Sequence, residues 1–172
     1  MSNLVYLNNK YIPFKDAKIP IEDRGFQFSD SVYEVVKIIN KNILDFDFHM
    51  RRLKYSTSEL NFNFKIKNEL FKKIFQNLIK KNKLSNGIIY LQITRGVQSR
   101  EHAYKKNLKP NLIVYTSRKK FNLPKSIRIA SILRDNKIII PNSSTIFKEN
   151  DDVVFFAETN YINKLEKLLS TY

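Results

Sequence analysis

The chain has 172 residues, with 31 Lys and Arg against 16 Asp and Glu, a net charge of +15, 42% hydrophobic and 13% aromatic content, and no cysteine. Length and apolar content suffice for one buried core, or for one domain and a fragment, and they exclude a disordered tail. The missing cysteine excludes disulfides, thiolate nucleophiles and cysteine-ligated zinc, and no metal site is expected.

No apolar run approaches the roughly 20 residues that a bilayer span needs, and the opening MSNLVYLNNK lacks the apolar stretch of a signal peptide. A cytoplasmic chain without a membrane span is therefore expected. The lysines are scattered through helices and loops beside Asn and Ile, with no basic stripe interleaved with aromatics. This reads as a solvated surface, and no nucleic-acid partner is expected.

In chain order, residues 4–7 and 11–14 flank Asn8 and Asn9, residues that tolerate the positive φ angles of a two-residue turn, and predict an opening hairpin. Ile19 before Pro20 forces extended backbone into residues 23–34, DRGFQFSDSVYE, which reads as an active-site loop feeding a strand, with Gly25 supplying backbone freedom. The β-branched run 32–39 predicts a strand, and Asn40, Lys41 and Asn42 turn it back into residues 43–46.

Asp47 is a candidate helix cap, and His49, Leu53, Ser56 and Leu60 follow at helical spacing. Residues 68–80 predict a second amphipathic helix with Leu70, Phe71, Ile74, Phe75, Leu78 and Ile79 on its apolar face. Strands are expected at 88–94 and 112–116, separated by a polar loop that contains Arg95, Arg100 and His102. Three short strands follow at 127–133, 137–140 and 153–156, with turns at Asp135-Asn136 and at 141–144, a joint at Asn122, Leu123 and Pro124, and a closing helix over 158–169.

The stretch DRGFQFSDSVYE, the His-Arg segment FHMRRL and the loop YLQITRGVQSREH, in this order and spacing, resemble the class IV aminotransferases, the pyridoxal-phosphate enzymes, and most closely those of the D-amino-acid type. The resemblance implies an α+β fold in which residues 1–126 form the small N-terminal domain of that family, a mixed sheet with two helices, and residues 127–172 form a short strand and helix tail. It implies amino transfer between a D-amino acid and a 2-oxo acid. Arg52 falls where the family binds the cofactor phosphate, and a planar guanidinium suits a phosphate. Tyr33, Arg100 and His102 fall at the family's substrate-carboxylate trap, where the loop arginine and histidine come from the neighbouring subunit, so a homo-oligomer is expected. Phenol, guanidinium and imidazole are three donors that can surround one carboxylate.

Two departures qualify the resemblance. Ser29 and Ser31 stand where the family keeps glycines around the aspartate. Nothing matches the segment that carries the family's Schiff-base lysine, the group that would do the covalent work, so no catalytic residue is assigned and the chain alone is expected to be inactive. Lys137 is the nearest candidate and reads as an exposed strand lysine.

Residues 129–172, with Arg134-Asp135, Pro141, Thr145, Asp151-Asp152, Leu165 and Leu168, resemble the end of the regulator-of-potassium-conductance domain of Trk potassium-uptake proteins. That resemblance implies a fused tail and, as an alternative function, a regulatory or interaction protein with a potassium-uptake partner. Only three glycines, Gly25, Gly87 and Gly96, are present, which excludes a glycine-rich dinucleotide loop.

Overall fold

The structure is a computed structural model, and it describes residues 3–120, 126–142, 144–148 and 150–169. The chain divides into two compact units, Met1–Lys120 and Phe121–Tyr172. The joint expected at Asn122, Leu123 and Pro124 lies outside the described residues, as does Ser143 of the expected turn.

The first unit opens with strand β1 (Leu4–Leu7) and strand β2 (Lys10–Pro13), paired antiparallel across Asn8 and Asn9, both at positive φ as the hairpin turn requires. A short helix α1 (Arg24–Phe28) leads into strand β3 (Ser31–Ile39), which a left-handed turn at Asn40 and Lys41 joins to strand β4 (Asn42–Ile43). Helix α2 (Phe46–Glu59), helix α3 (Asn68–Lys81), strand β5 (Gly87–Thr94) and strand β6 (Asn111–Arg118) complete the unit. The sheet order is β2-β1-β6-β5-β3-β4. The α+β class holds with one sheet and two main helices, but every ladder in the sheet is antiparallel, where a mixed sheet was expected.

Strand alternation sets the two faces of this sheet. Val32, Val36 and Ile38 of β3, Ile89, Leu91 and Ile93 of β5, and Leu112 and Val114 of β6 are buried in one core. Met50 and Leu53 of α2 and Phe71, Ile74, Phe75, Leu78 and Ile79 of α3 close it. Full burial of side chains of this size contributes about 1.5–3 kcal/mol each, so the helix faces hold the unit together. The opposite face carries Tyr33, Tyr90 and Tyr115, with Tyr33 stacked on Tyr90 at 5.9 Å between centroids and Tyr90 tilted against Tyr115 at 5.1 Å. Burial, with Tyr115 and Tyr33 beside it, pushes the Tyr90 phenol up.

Several local expectations are corrected. Asp45, not Asp47, takes the N-cap position of α2, in left-handed backbone and without a side-chain cap bond, while Asp47 lies in the first turn. The return strand shrinks to Asn42–Ile43. Leu60 and Leu70 are exposed, since the core-facing stripes run through Thr57 and Phe71 instead. The stretch before β3 is a short helix rather than a loop. Gly25 sits within it at no positive φ, and what it provides is room: a Cβ there would stand 2.5 Å from Thr94 Cγ2.

In the second unit, strand β7 (Ile127–Arg134) lies between strand β8 (Lys137–Ile139) and strand β9 (Asp152–Ala157), all antiparallel. Ile127 to Leu133 thus has a sheet of its own. Asp135 and Asn136 are both left-handed at the β7–β8 turn. Arg134 donates from Nε and Nη2 to the two Asp151 oxygens, each at 2.7 Å, and from Nη2 to the Ile146 carbonyl, which ties the connection before β9 to the end of β7. A 3-10 turn at Thr159–Tyr161 precedes helix α4 (Ile162–Leu169), so the closing helix starts later than its sequence suggests. Among the described residues no helix is long and apolar enough to cross a membrane.

Candidate functional site

The first cluster forms where β3 faces α2. Glu34 occupies a position whose strand neighbours of like parity, Val32 and Val36, are core residues, and it is buried with them. A carboxylate at that depth needs partners. His49 Nδ1 lies 2.7 Å from Glu34 Oε2, and Arg52 donates from Nε to Oε1 at 2.8 Å and from Nη2 to Oε2 at 2.6 Å. Burial pushes the Glu34 carboxyl up, but the His49 and Arg52 hydrogen bonds outweigh it and hold the group below the usual range. One turn separates His49 from Arg52 on α2, so both reach the same carboxylate.

Arg52 is 37% exposed and rests beside the Phe48 ring, 5.8 Å from its centroid. Its Nη1 donates no hydrogen bond among the described residues, which leaves one edge of the guanidinium for an anion. This fits the phosphate end of pyridoxal phosphate. The bidentate grip of Glu34 fixes the plane of that edge.

The second cluster is centred on Asp30, between α1 and β3. Arg24 donates from Nε to Asp30 Oδ2 at 2.8 Å, and Arg95 donates from Nε to both Asp30 oxygens at 2.9 and 2.8 Å. Burial pushes the Asp30 carboxyl up, and the Arg95 and Arg24 hydrogen bonds outweigh it and bring it below the usual value. Each arginine then directs its remaining donors to a backbone elsewhere. Arg95 reaches the carbonyls of Leu60 and Asn61 after α2, at 2.8 and 3.3 Å. Arg24 reaches the carbonyls of Glu101 and His102, at 2.7 and 3.1 Å.

The loop between β5 and β6 is thus moored by its own backbone. Gln98 adds a clamp, donating to the Ala103 carbonyl at 2.9 Å and accepting from the Lys105 amide at 2.9 Å. Arg100 and His102 stay exposed on this loop, and both lie against Phe28, at 5.0 Å from guanidinium carbon to centroid and 5.6 Å between rings. Asp23 anchors the other end of α1. It is fully buried, with Oδ1 accepting from the Gly25 amide and Oδ2 accepting from Thr94 Oγ1 and Asn111 Nδ2.

The structure therefore brings Arg100 and His102 together, while Tyr33, 62% exposed, stacks with Tyr90 on the open sheet face. Within one chain the three form two groups. Ser29 takes left-handed backbone at φ 55 as the C-cap of α1, at one of the positions where the resembling family keeps glycine. Lys137 is exposed on β8, opposite Arg134. Sequence reasoning overlooked Glu34, His49, Arg24 and Asp30 as site residues. For Glu34 a signal existed, an acid at a core-parity position of an apolar strand, and His49 is the titratable member of the buried α2 stripe with Met50, Leu53 and Thr57.

Three comparisons bear on this geometry. The family described as "Amino-transferase class IV" matches residues 31–160, which includes β3, the helices α2 and α3, and the strands β7 to β9. The D-alanine aminotransferase of Listeria monocytogenes is 37% identical over 95 residues, covering 55% of this chain and 33% of that protein. The D-alanine aminotransferase of Bacillus licheniformis is 35% identical over 112 residues, covering 65% of this chain and 40% of that protein. The chain thus spans between a third and two fifths of the length of the curated relatives it matches.

Among solved structures, the branched-chain amino acid aminotransferase of Escherichia coli aligns with a TM-score of 0.65 at 18% identity, over 69% of this chain and 42% of that one. The branched-chain amino acid aminotransferase of T.th., solved with pyridoxamine 5'-phosphate, aligns at 0.66 and 16%, over 73% and 42%. These likenesses establish the fold. Of residues 129–172, for which the potassium-uptake resemblance is drawn, 129–160 fall within the family match, and these comparisons do not support that second reading. The chain belongs to the class IV aminotransferases.

Proposed function

We propose that the first unit supplies two binding functions of a D-amino-acid aminotransferase: a phosphate anchor at Arg52 and a carboxylate-binding loop carrying Arg100 and His102. The observation that carries the reading is the mooring of that loop, in which Arg24 holds the Glu101 and His102 carbonyls while the exposed side chains of Arg100 and His102 rest on Phe28, open to a ligand. A preordered loop loses little entropy on binding, which favours a small anion such as a D-amino acid or 2-oxo acid. The D-alanine aminotransferase relatives support this substrate class.

Pyridoxal phosphate, when bound, supplies the electron sink for moving an amino group. In this chain Arg52 would hold its phosphate and Glu34 would orient Arg52. With Tyr33 in a separate group, the loop serves the Tyr33 face of a second copy, which makes the working unit a homodimer. No lysine of this chain is assigned to the covalent step, so turnover by the chain alone is not expected.

The test is borohydride trapping of the purified chain with pyridoxal phosphate, followed by peptide mapping and a D-alanine turnover assay. Saturable cofactor binding that depends on Arg52, with no lysine labelled selectively, is the expected result. A single labelled lysine, such as Lys137, together with turnover would overturn the assignment of a non-catalytic chain. Cofactor binding indifferent to Arg52→Met would overturn the phosphate anchor.

A further inference from the structure

A cleft of about 510 Å³ opens in the first unit between the last turns of α3, the connection from α3 to β5, and the β3–β4 turn. Its lining is Lys41, Gln76, Ile79, Lys80, Lys83 and Leu84. Ile79 and Leu84 are core residues that form the floor, and the three lysines come from three different segments. Among the described residues no acidic side chain lines the cleft, and none of the three lysines is in an ion pair.

The walls are fastened. The Lys41 amide donates to the Ser85 carbonyl at 2.8 Å, the Asn40 amide donates to Asn86 Oδ1 at 2.8 Å, and Arg118 Nη2 donates to the Lys83 carbonyl at 2.9 Å. Lys41 and Lys83 both have left-handed backbone, at φ 68 and 48. Lysine is a poor occupant of that region, where glycine or asparagine fits at lower cost. Two lysines in the lining of one cleft are thus held in backbone conformations costly for their type.

We propose that this cleft binds a polyphosphate anion. Three ammonium groups on separate, fixed segments match a chain of phosphates better than a single charge. The negative end of the α3 dipole, worth roughly half a charge, opposes anions here but is outweighed by three positive charges. The volume lies within the usual range for small-molecule sites, roughly 300–1,000 Å³. The inference uses no residue of the aminotransferase reading, so the two stand or fall separately.

The experiment is calorimetric titration of the full chain with inorganic tripolyphosphate and, in parallel, with adenosine triphosphate. One saturable site is expected, weakening with added salt. Lys41→Asn with Lys83→Asn removes two charges while suiting the left-handed backbone, so the fold should persist, as a thermal unfolding curve will verify. That double variant should weaken binding at least about tenfold, while the exposed pair Lys15→Asn with Lys18→Asn should change it less than about twofold. Tighter binding of the nucleotide would identify a nucleotide as the source of the phosphates, and equal binding would identify a free phosphate chain. Equal losses in the two double variants would assign the binding to overall basicity and overturn the site, as would the absence of saturation.

Discussion

Arg24 and His102 are 78 residues apart in sequence, yet the guanidinium of one holds the backbone carbonyl of the other at 3.1 Å. Through this bond the short helix before β3 governs the loop before β6. Replacing Arg24 by Met should therefore free the loop more than it weakens the core. Tryptic cleavage at Arg100, Lys105 and Lys106 should accelerate at least several-fold while far-UV circular dichroism stays unchanged. Loss of the helical signal instead would show that Arg24 supports the whole unit.

The Glu34 carboxylate should be the costliest polar group to remove in the first unit. Breaking a fully buried ion pair costs roughly 3–5 kcal/mol, and the partial exposure of Arg52 lowers the expectation for Glu34→Gln to about 2 kcal/mol. Urea unfolding monitored by tyrosine fluorescence measures this directly. A change under about 0.5 kcal/mol, the scale of ordinary surface substitutions, would mean that the His49 and Arg52 contacts contribute nothing net.

Acid should unfold the protein through the same groups. The Glu34 and Asp30 carboxyls sit below their ordinary values of 4.5 and 3.8 in the folded state, and the Asp151 carboxyl, hydrogen-bonded by Arg134, is lowered to about 2. A depressed carboxyl contributes stability that is complete above its unfolded value and disappears as pH falls through its folded value. Stability should thus be flat from neutrality to about pH 5 and decline below about pH 4.5. Glu34→Gln should flatten that decline, a comparison that unfolding midpoints between neutral and strongly acidic pH will settle.

Two substitutions flanking the same turn should act in opposite directions. Ser29→Gly relieves left-handed backbone and should stabilise by about 0.5 kcal/mol. Gly25→Ala drives a methyl group into Thr94 and the Asp23 carboxylate and should destabilise by about 1–3 kcal/mol. Thermal midpoints of the two variants give the answer, and a stabilising Gly25→Ala would refute the close approach.

What was legible in the sequence follows from how local each signal is. The Asn8-Asn9 and Asp135-Asn136 turns, the α3 stripe and the β5 and β6 strands could be read because a few adjacent residues determine them. The α2 cap could not, since Asp45 takes it through left-handed backbone that no side-chain pattern announces. Arg52, Tyr33, Arg100 and His102 were singled out by family resemblance, whereas the Arg24–Glu101 and Arg95–Asp30 contacts join residues 77 and 65 positions apart and needed the fold to meet. In the same way, the segments lining the lysine cleft could not be matched without knowing that the β3–β4 turn lies beside Ser85 and Asn86.

Where the backbone turns to positive φ, the described residues are mostly asparagine, aspartate, serine and lysine, with glycine at two such positions, Gly87 and Gly96. A glycine-poor chain is stiffer when unfolded, because every residue with a side chain samples fewer backbone states than glycine would. Each such position gives up roughly 0.4–1 kcal/mol less conformational freedom on folding than glycine would, set against the steric cost in the native turn. The hairpins of this protein are therefore specified partly by limits on the unfolded ensemble, and glycine placed at many of them would loosen the chain before it relaxed the fold.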